Sequence, residues 1–238
     1  MNLRGILFDK DGTLLDFNRS WLPVYRHAAL EFADGDDGLA ECLLSEHGYD
    51  AAGERFVGGS LLAAGNNRQI AEAWARRTGR EHSADALSRR LGEIFVELGA
   101  RHATAVDGLA TTLQALREDG YRLGVATADS QQGIVATLRA FDILRQFDFL
   151  AGFDSGHGIK PEAGMVLAFC RRLALDPGAV VVVGDNRHDI EMGRNAGAGL
   201  CVGVLTGTST RADLEPIADL VLEDIGGLPD ALQSRSGS

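Results

Sequence analysis

The sequence predicts an α/β protein: a doubly wound parallel sheet with an all-helical segment inserted after its first strand. Three observations predict it. From Asp107-Gly108 onward, short apolar runs alternate with amphipathic stretches, the rhythm of a parallel sheet covered by helices. Another apolar run, residues 3–8, lies near the start and must join the later strands, since one strand cannot stand alone. Between them, residue 14 to about residue 100 shows 3.6-residue periodicity and no β-branched run. The expected division is 1–15 with 101–238 for the sheet domain, and 16–100 for the helical one.

In chain order, residues 3–8 read as a buried strand that stops at Asp9-Lys10-Asp11-Gly12-Thr13, because Asp and Gly are poor strand formers. In the insertion, Leu22, Tyr25, Ala29 and Phe32 share one helical face. Leu39, Cys42, Leu43 and His47 make a second, and Ile70, Ala73, Trp74 and Arg77 a third. Leu87, Leu91, Ile94, Phe95 and Leu98 make a fourth, with Ser83 placed to cap it. Trp21 and Trp74 belong to the core of this segment, and its many glycines divide it into four or five helices.

The sheet domain then resumes. Residues 108–119 form a helix ending near Gly120, and residues 121–127 a strand. Residues 131–140 form a helix capped by Ser130, and 147–153 contain a short strand. Residues 161–174 read as a helix with Pro161 at its favoured first position. The apolar run 179–183 belongs at the centre of a parallel sheet. A helix over 187–196, a strand over 200–204 and an edge strand over 220–222 complete the pattern. The polar tail from Gln233 is expected to be disordered.

Composition narrows the function. The net charge of −11 argues against nucleic acid and anionic membrane as partners. No apolar run approaches the ~20 residues of a membrane span, and no basic leader precedes the first strand. The cytoplasm is the expected compartment. Cys42, Cys170 and Cys201 are far apart and odd in number, which suits reduced thiols.

The chemistry gathers at strand ends. Asp9 and Asp11, Thr127, Lys160, and Asp185 with Asp189 follow successive predicted strands, and in a doubly wound sheet those ends open into one crevice. A carboxylate nucleophile, a hydroxyl donor, a fixed cation and a further acidic pair are what phosphoryl transfer through an aspartyl phosphate requires. Four aspartates beside one lysine would repel a phosphate, so the site needs a metal, and Mg2+ suits oxygen ligands. Only two lysines occur in the chain, Lys10 and Lys160.

In order and spacing, these residues resemble the haloacid dehalogenase-like phosphohydrolases. Asp9-Lys10-Asp11-Gly12-Thr13-Leu14 is similar to the family's first motif, Thr127 to the second, Gly158-Ile159-Lys160-Pro161 to the third and Gly184-Asp185-Asn186-Arg187-His188-Asp189 to the fourth. The helical insertion sits where the family's cap domain sits, as in the phosphoglycolate phosphatase-like branch. The resemblance implies roles. Asp9 is the nucleophile and a Mg2+ ligand. Asp11 is the general acid and then the general base, its main-chain carbonyl on Mg2+. Thr127 binds the phosphoryl group, Lys160 offsets charge, Asp185 binds Mg2+ and Asp189 supports Lys160 or a metal-bound water. Gly12 and Thr13 shape the loop. The implied substrate is a small phosphorylated metabolite, phosphoglycolate or similar, with a phosphosugar mutase as the near alternative.

Two departures stand out. Ala128 replaces the Asn common after the second-motif hydroxyl, so a hydrogen bond is lost or comes from Asp129 or Ser130. Lys10 replaces a more usual aliphatic residue and is expected to point away from the acid pair, since neighbours on extended backbone alternate sides. Asp11 argues against dehalogenation, and a lysine-free insertion argues against imine-forming phosphonate hydrolysis unless Lys10 is recruited. Receiver modules share the same residue types, but their acceptor follows the acidic pair. In the insertion, Arg55, Asn66, Asn67 and Arg68 are candidates to reach the substrate, against an equally good reading as solvated surface. His157 and His188 read as exposed loop residues.

Overall fold

The computed structural model describes residues 2–80 and 83–236. The elements follow the chain as β1 (Gly5–Phe8), α1 (Phe17–Phe32), α2 (Asp37–Ser45), β2 (Tyr49–Asp50), β3 (Arg55–Phe56), α3 (Leu61–Ala64), α4 (Asn67–Arg77) and α5 (Ala84–His102). Then come α6 (Leu109–Glu118), β4 (Arg122–Ala126), α7 (Gln131–Ala140), β5 (Phe149–Ala151), α8 (Gly164–Leu173) and β6 (Val180–Gly184). The chain ends with α9 (Arg187–Ala196), β7 (Leu200–Val204), α10 (Arg211–Leu214), β8 (Leu220–Leu222) and α11 (Leu228–Ser236). They form two compact units, one from the chain up to Phe17 and from Ala105 onward, the other from Asn18–Thr104.

The first unit is a six-stranded parallel sheet in the order β5-β4-β1-β6-β7-β8. β1 is central because its four residues are all buried and hydrogen-bond on both sides. Alternation sends Ile6, Phe8, Val181 and Val183 to one face, against Leu113, Ile134 and Leu228 of α6, α7 and α11. Leu7, Val180 and Val182 go to the other, against Met165 and Phe169 of α8 and Met192 of α9. Helices on both faces explain the unbroken valine run of β6, which has no solvent side to mark. β8 is the edge strand that the sequence leads one to expect.

Two expectations fail in this unit. The helix after the third motif begins at Gly164 rather than Pro161. Residues 159–162 turn instead, the Glu162 amide donating to the Ile159 carbonyl, and Asn195 Nδ2 holds the Pro161 carbonyl. The tail is not disordered through 236: α11 continues there because Leu228 and Leu232 bury against the sheet domain's core. Residues 237 and 238 lie outside the described residues.

The second unit is helical except for a two-stranded antiparallel hairpin, β2 with β3. The expectation of an all-helical insertion is corrected there, where each strand is too short to show a period. Tyr25 packs on Phe56 and Phe95, and Phe32 packs edge-on against the fully buried Trp74. Trp21 is half-buried beside Tyr25 and Phe95. α4 packs along α5. On α2 the buried face is rotated to Ala40, Leu43 and Leu44. Ser83 precedes α5 without a side-chain cap bond. No helix among the described residues is long and apolar enough to cross a membrane.

Candidate active site

All six strands point their carboxyl ends to one edge, so the segments after β1, β4 and β6 converge there. Phe8 is level with Val125 of β4 and Val183 of β6, which places Asp9, Thr127 and Asp185 one or two residues beyond. Extended backbone ends at Phe8. The amides of Thr13, Leu14 and Leu15 then gather on the Lys10 carbonyl at 3.4, 3.0 and 3.0 Å. Gly12 turns the loop at φ +94°, a region that favours glycine. A Cβ at Gly12 would also lie 2.6 Å from Cγ of Asp185.

Lys160 ties the acids together. Its Nζ donates to Oδ1 of Asp9 and to Oδ1 of Asp189, each at 2.5 Å. Asp189 Oδ2 accepts the Asn186 amide at 3.1 Å in the capping box that starts α9. Asp185 Oδ2 accepts the Thr208 amide at 3.1 Å. Burial, aided by Asp189 and Asp11, outweighs Lys160 and pushes the Asp9 carboxyl up from 3.8 to about 7. Burial, then Asp189 and Asp9, raises Asp185 well above its usual value. Burial works against the Lys160 ammonium, but Asp189 and Asp9 overcome it and raise its pKa.

The carboxylates of Asp9, Asp185 and Asp189 lie within 4.8 Å of one another and all are buried. Three buried carboxyls around one ammonium carry, when ionised, more negative charge than that ammonium offsets, a donor set that fits a hard divalent cation such as Mg2+. Asp189 has both oxygens engaged by Lys160 and Asn186. Asp9 and Asp185 each keep one oxygen without a hydrogen bond among the described residues, so they fit the metal better. Thr127 is 2% exposed, and its hydroxyl oxygen accepts the Asp129 amide at 3.2 Å, leaving the hydroxyl proton to donate elsewhere.

Lys10 is where the structure departs most from expectation. It neither points away from the acids nor lies in solvent. It is 3% exposed, with Nζ 2.7 Å from Asp11 Oδ2 and 3.2 Å from Asp129 Oδ2. The bend after Phe8 is the reason, since alternation of sides holds only along extended chain. Burial opposes its charge, but Asp11 and then Asp129 overcome it and raise its pKa, so the amine is held as an ammonium and not as an imine-forming nucleophile. Nor do Asp129 and Ser130 replace the missing Asn. Asp129 is tied to Lys10 and the Ser130 amide, and Ser130 Oγ caps α7 through the Gly133 amide.

In the second unit, three of the four candidates have local partners. Asn66 caps α4 in a capping box with Gln69. Arg55 pairs with Asp50, and Arg68 with Glu72 and Asp85. Asn67 lies close to Gly92 of α5. His188 is exposed, as expected, whereas His157 is half-buried and stacks on Phe149. Sequence reasoning missed the turn after β7. Thr206 Oγ1 donates to the Gly12 carbonyl at 2.7 Å, Thr208 holds Asp185, and a Cβ on Gly207 would overlap the Asp185 carboxylate. Thr206-Gly207-Thr208, one residue beyond the end of a strand, was the available signal.

The family model of haloacid dehalogenase-like hydrolases matches residues 3–197. A phosphoglycolate phosphatase from Pasteurella multocida is 30% identical over 166 residues, covering 68% of this chain and 74% of that one. An N-acetylmuramic acid 6-phosphate phosphatase from Pseudomonas putida is 26% identical over 197 residues, 83% of this chain and 81% of that one. A crystal structure from Haemophilus somnus, named a predicted phosphoglycolate phosphatase, shares the fold with a TM-score of 0.77 at 21% identity, over 98% of this chain and 99% of that one. The chain belongs to the haloacid dehalogenase-like hydrolase family and is a phosphatase-type enzyme within it.

Proposed function

We propose that the protein hydrolyses a small phosphate monoester in a Mg2+-dependent reaction, carrying the phosphoryl group on Asp9. The observation that carries this reading is the buried set of Asp9, Asp185 and Asp189 around Lys160 at the carboxyl edge of the sheet. An Asp9 oxygen attacks phosphorus. The bond from phosphorus to the leaving oxygen breaks, its electron pair stays on that oxygen, and the oxygen takes the proton of the Asp11 carboxyl. Water then attacks the same phosphorus and gives a proton to Asp11. The bond from phosphorus to Asp9 breaks, phosphate leaves and the Asp9 carboxylate returns.

Lys160 offsets charge on Asp9 and the phosphoryl oxygens, Thr127 donates its hydroxyl proton to one of them, and Asp189 keeps Lys160 in place. Gly12 and Thr13 hold the loop shape. Mg2+, held by Asp9, Asp185 and the Asp11 main-chain carbonyl, would neutralise charge on the phosphoryl group when bound. The names of the two phosphatase relatives support a small phosphorylated metabolite, phosphoglycolate or one like it. The three free thiols suit a reducing compartment such as the cytoplasm.

A panel of phosphoglycolate, sugar phosphates and nucleotides, ranked by kcat/KM for phosphate release with Mg2+ and with EDTA, tests the reading. Metal-dependent release from one small ester is expected. A rearranged sugar phosphate without free phosphate would identify a mutase. A lasting phosphoryl group on Asp9 without turnover would identify a receiver-like module.

A further inference from the structure

Both lysines of the chain, against 21 arginines, lie beside the acids of the site. Lys160 has a role in the reading above; Lys10 has none. Its ammonium is buried between Asp11 Oδ2 at 2.7 Å and Asp129 Oδ2 at 3.2 Å. Asp129 is itself fixed, its other oxygen accepting the Ser130 amide at 2.6 Å where Ser130 caps α7. A line of ties therefore runs from the first turn of α7 through Asp129 and Lys10 to Asp11. An apolar residue of the same length would fill this space at no cost in desolvation, so a buried ion pair is a poor device for stability alone. It does fix orientation, because a carboxylate held on one oxygen cannot swing.

We propose that Lys10 is a positioning residue, which holds Asp11 through Oδ2 so that the carboxyl is aimed at the leaving oxygen. The inference rests on the phosphatase reading, in which Asp11 gives its proton to that oxygen as its bond to phosphorus breaks. It also gives a purpose to the departure at Ala128: Asp129, one residue on, serves the proton donor rather than the phosphate.

Leaving-group dependence tests this. An alkyl phosphate has a poor leaving oxygen that needs the proton, whereas p-nitrophenyl phosphate leaves readily as the anion. Lys10→Met should lower kcat/KM, which reports only the steps up to expulsion of the leaving oxygen and not the later attack of water, by about 10²-fold on an alkyl phosphate and by less than about 10-fold on p-nitrophenyl phosphate. If Lys10→Met does not fold, Asp129→Asn, at a partly exposed position, is read by the same ratio. An equal loss on both esters, or no loss on either, beside an active wild type overturns the role of Lys10 alone. A wild type that hydrolyses neither ester overturns the phosphatase reading, and this inference with it.

Discussion

Lys160 donates to Asp9 at 2.5 Å, joining residues 151 positions apart in the chain. Asp9, the proposed nucleophile, is thus held by a cation that arrives from the turn before α8, and the same cation holds Asp189. With Lys160→Met, the acids at the carboxyl edge lose that ammonium, and the transition state loses a fixed positive charge. Kcat/KM on an aryl phosphate with saturating Mg2+ should fall by about 10²–10³-fold. A loss of less than about 10-fold would limit Lys160 to holding the fold together.

Proton and metal should compete for the acidic cluster. Asp9 is raised from 3.8 to about 7 by burial, and Asp185 is raised by burial as well. The folded metal-free chain therefore binds more protons than the unfolded chain between those values. By linkage its stability falls as pH rises from 3.8 to about 7. Mg2+ displaces the same protons, so its stabilising effect should grow over that window. The Tm difference between Mg2+ and EDTA should be small near pH 5 and larger near pH 8. An equal difference at both would contradict the assignment of Asp9 and Asp185 as ligands.

The Thr13 hydroxyl is buried and has no hydrogen-bond partner among the described residues. Thr13→Val keeps the shape and removes a desolvated polar group. Thermal unfolding should show the variant as stable as the wild type or up to about 1 kcal/mol more stable. Destabilisation beyond about 1 kcal/mol would show that the hydroxyl is engaged in the working protein.

The sheet is legible in the sequence because strands covered on both faces read as apolar runs, the four valines of β6 most plainly. The acids, Thr127 and Lys160 are legible by their order at strand ends, which one parallel sheet turns into proximity. Lys10 is not, because its position depends on where extended backbone stops, and that is decided by the amides gathered on its own carbonyl. Pro161 signals a helix start that the chain places three residues later, at Gly164. The hairpin of β2 and β3 has two residues per strand, too few for any periodicity. Thr206 and Thr208 act through one hydroxyl and one main-chain amide, and a main-chain donor leaves little mark on residue type.

The proposed transfer of the phosphoryl group to Asp9 is tested by quenching the enzyme with acid during turnover of its best ester and analysing the peptide that contains Asp9 by mass spectrometry. A phosphoryl adduct on Asp9 in the wild type is expected, with neither adduct nor turnover in Asp9→Asn. Steady turnover with no adduct, or an Asp9→Asn variant with a near-normal rate, would contradict the account.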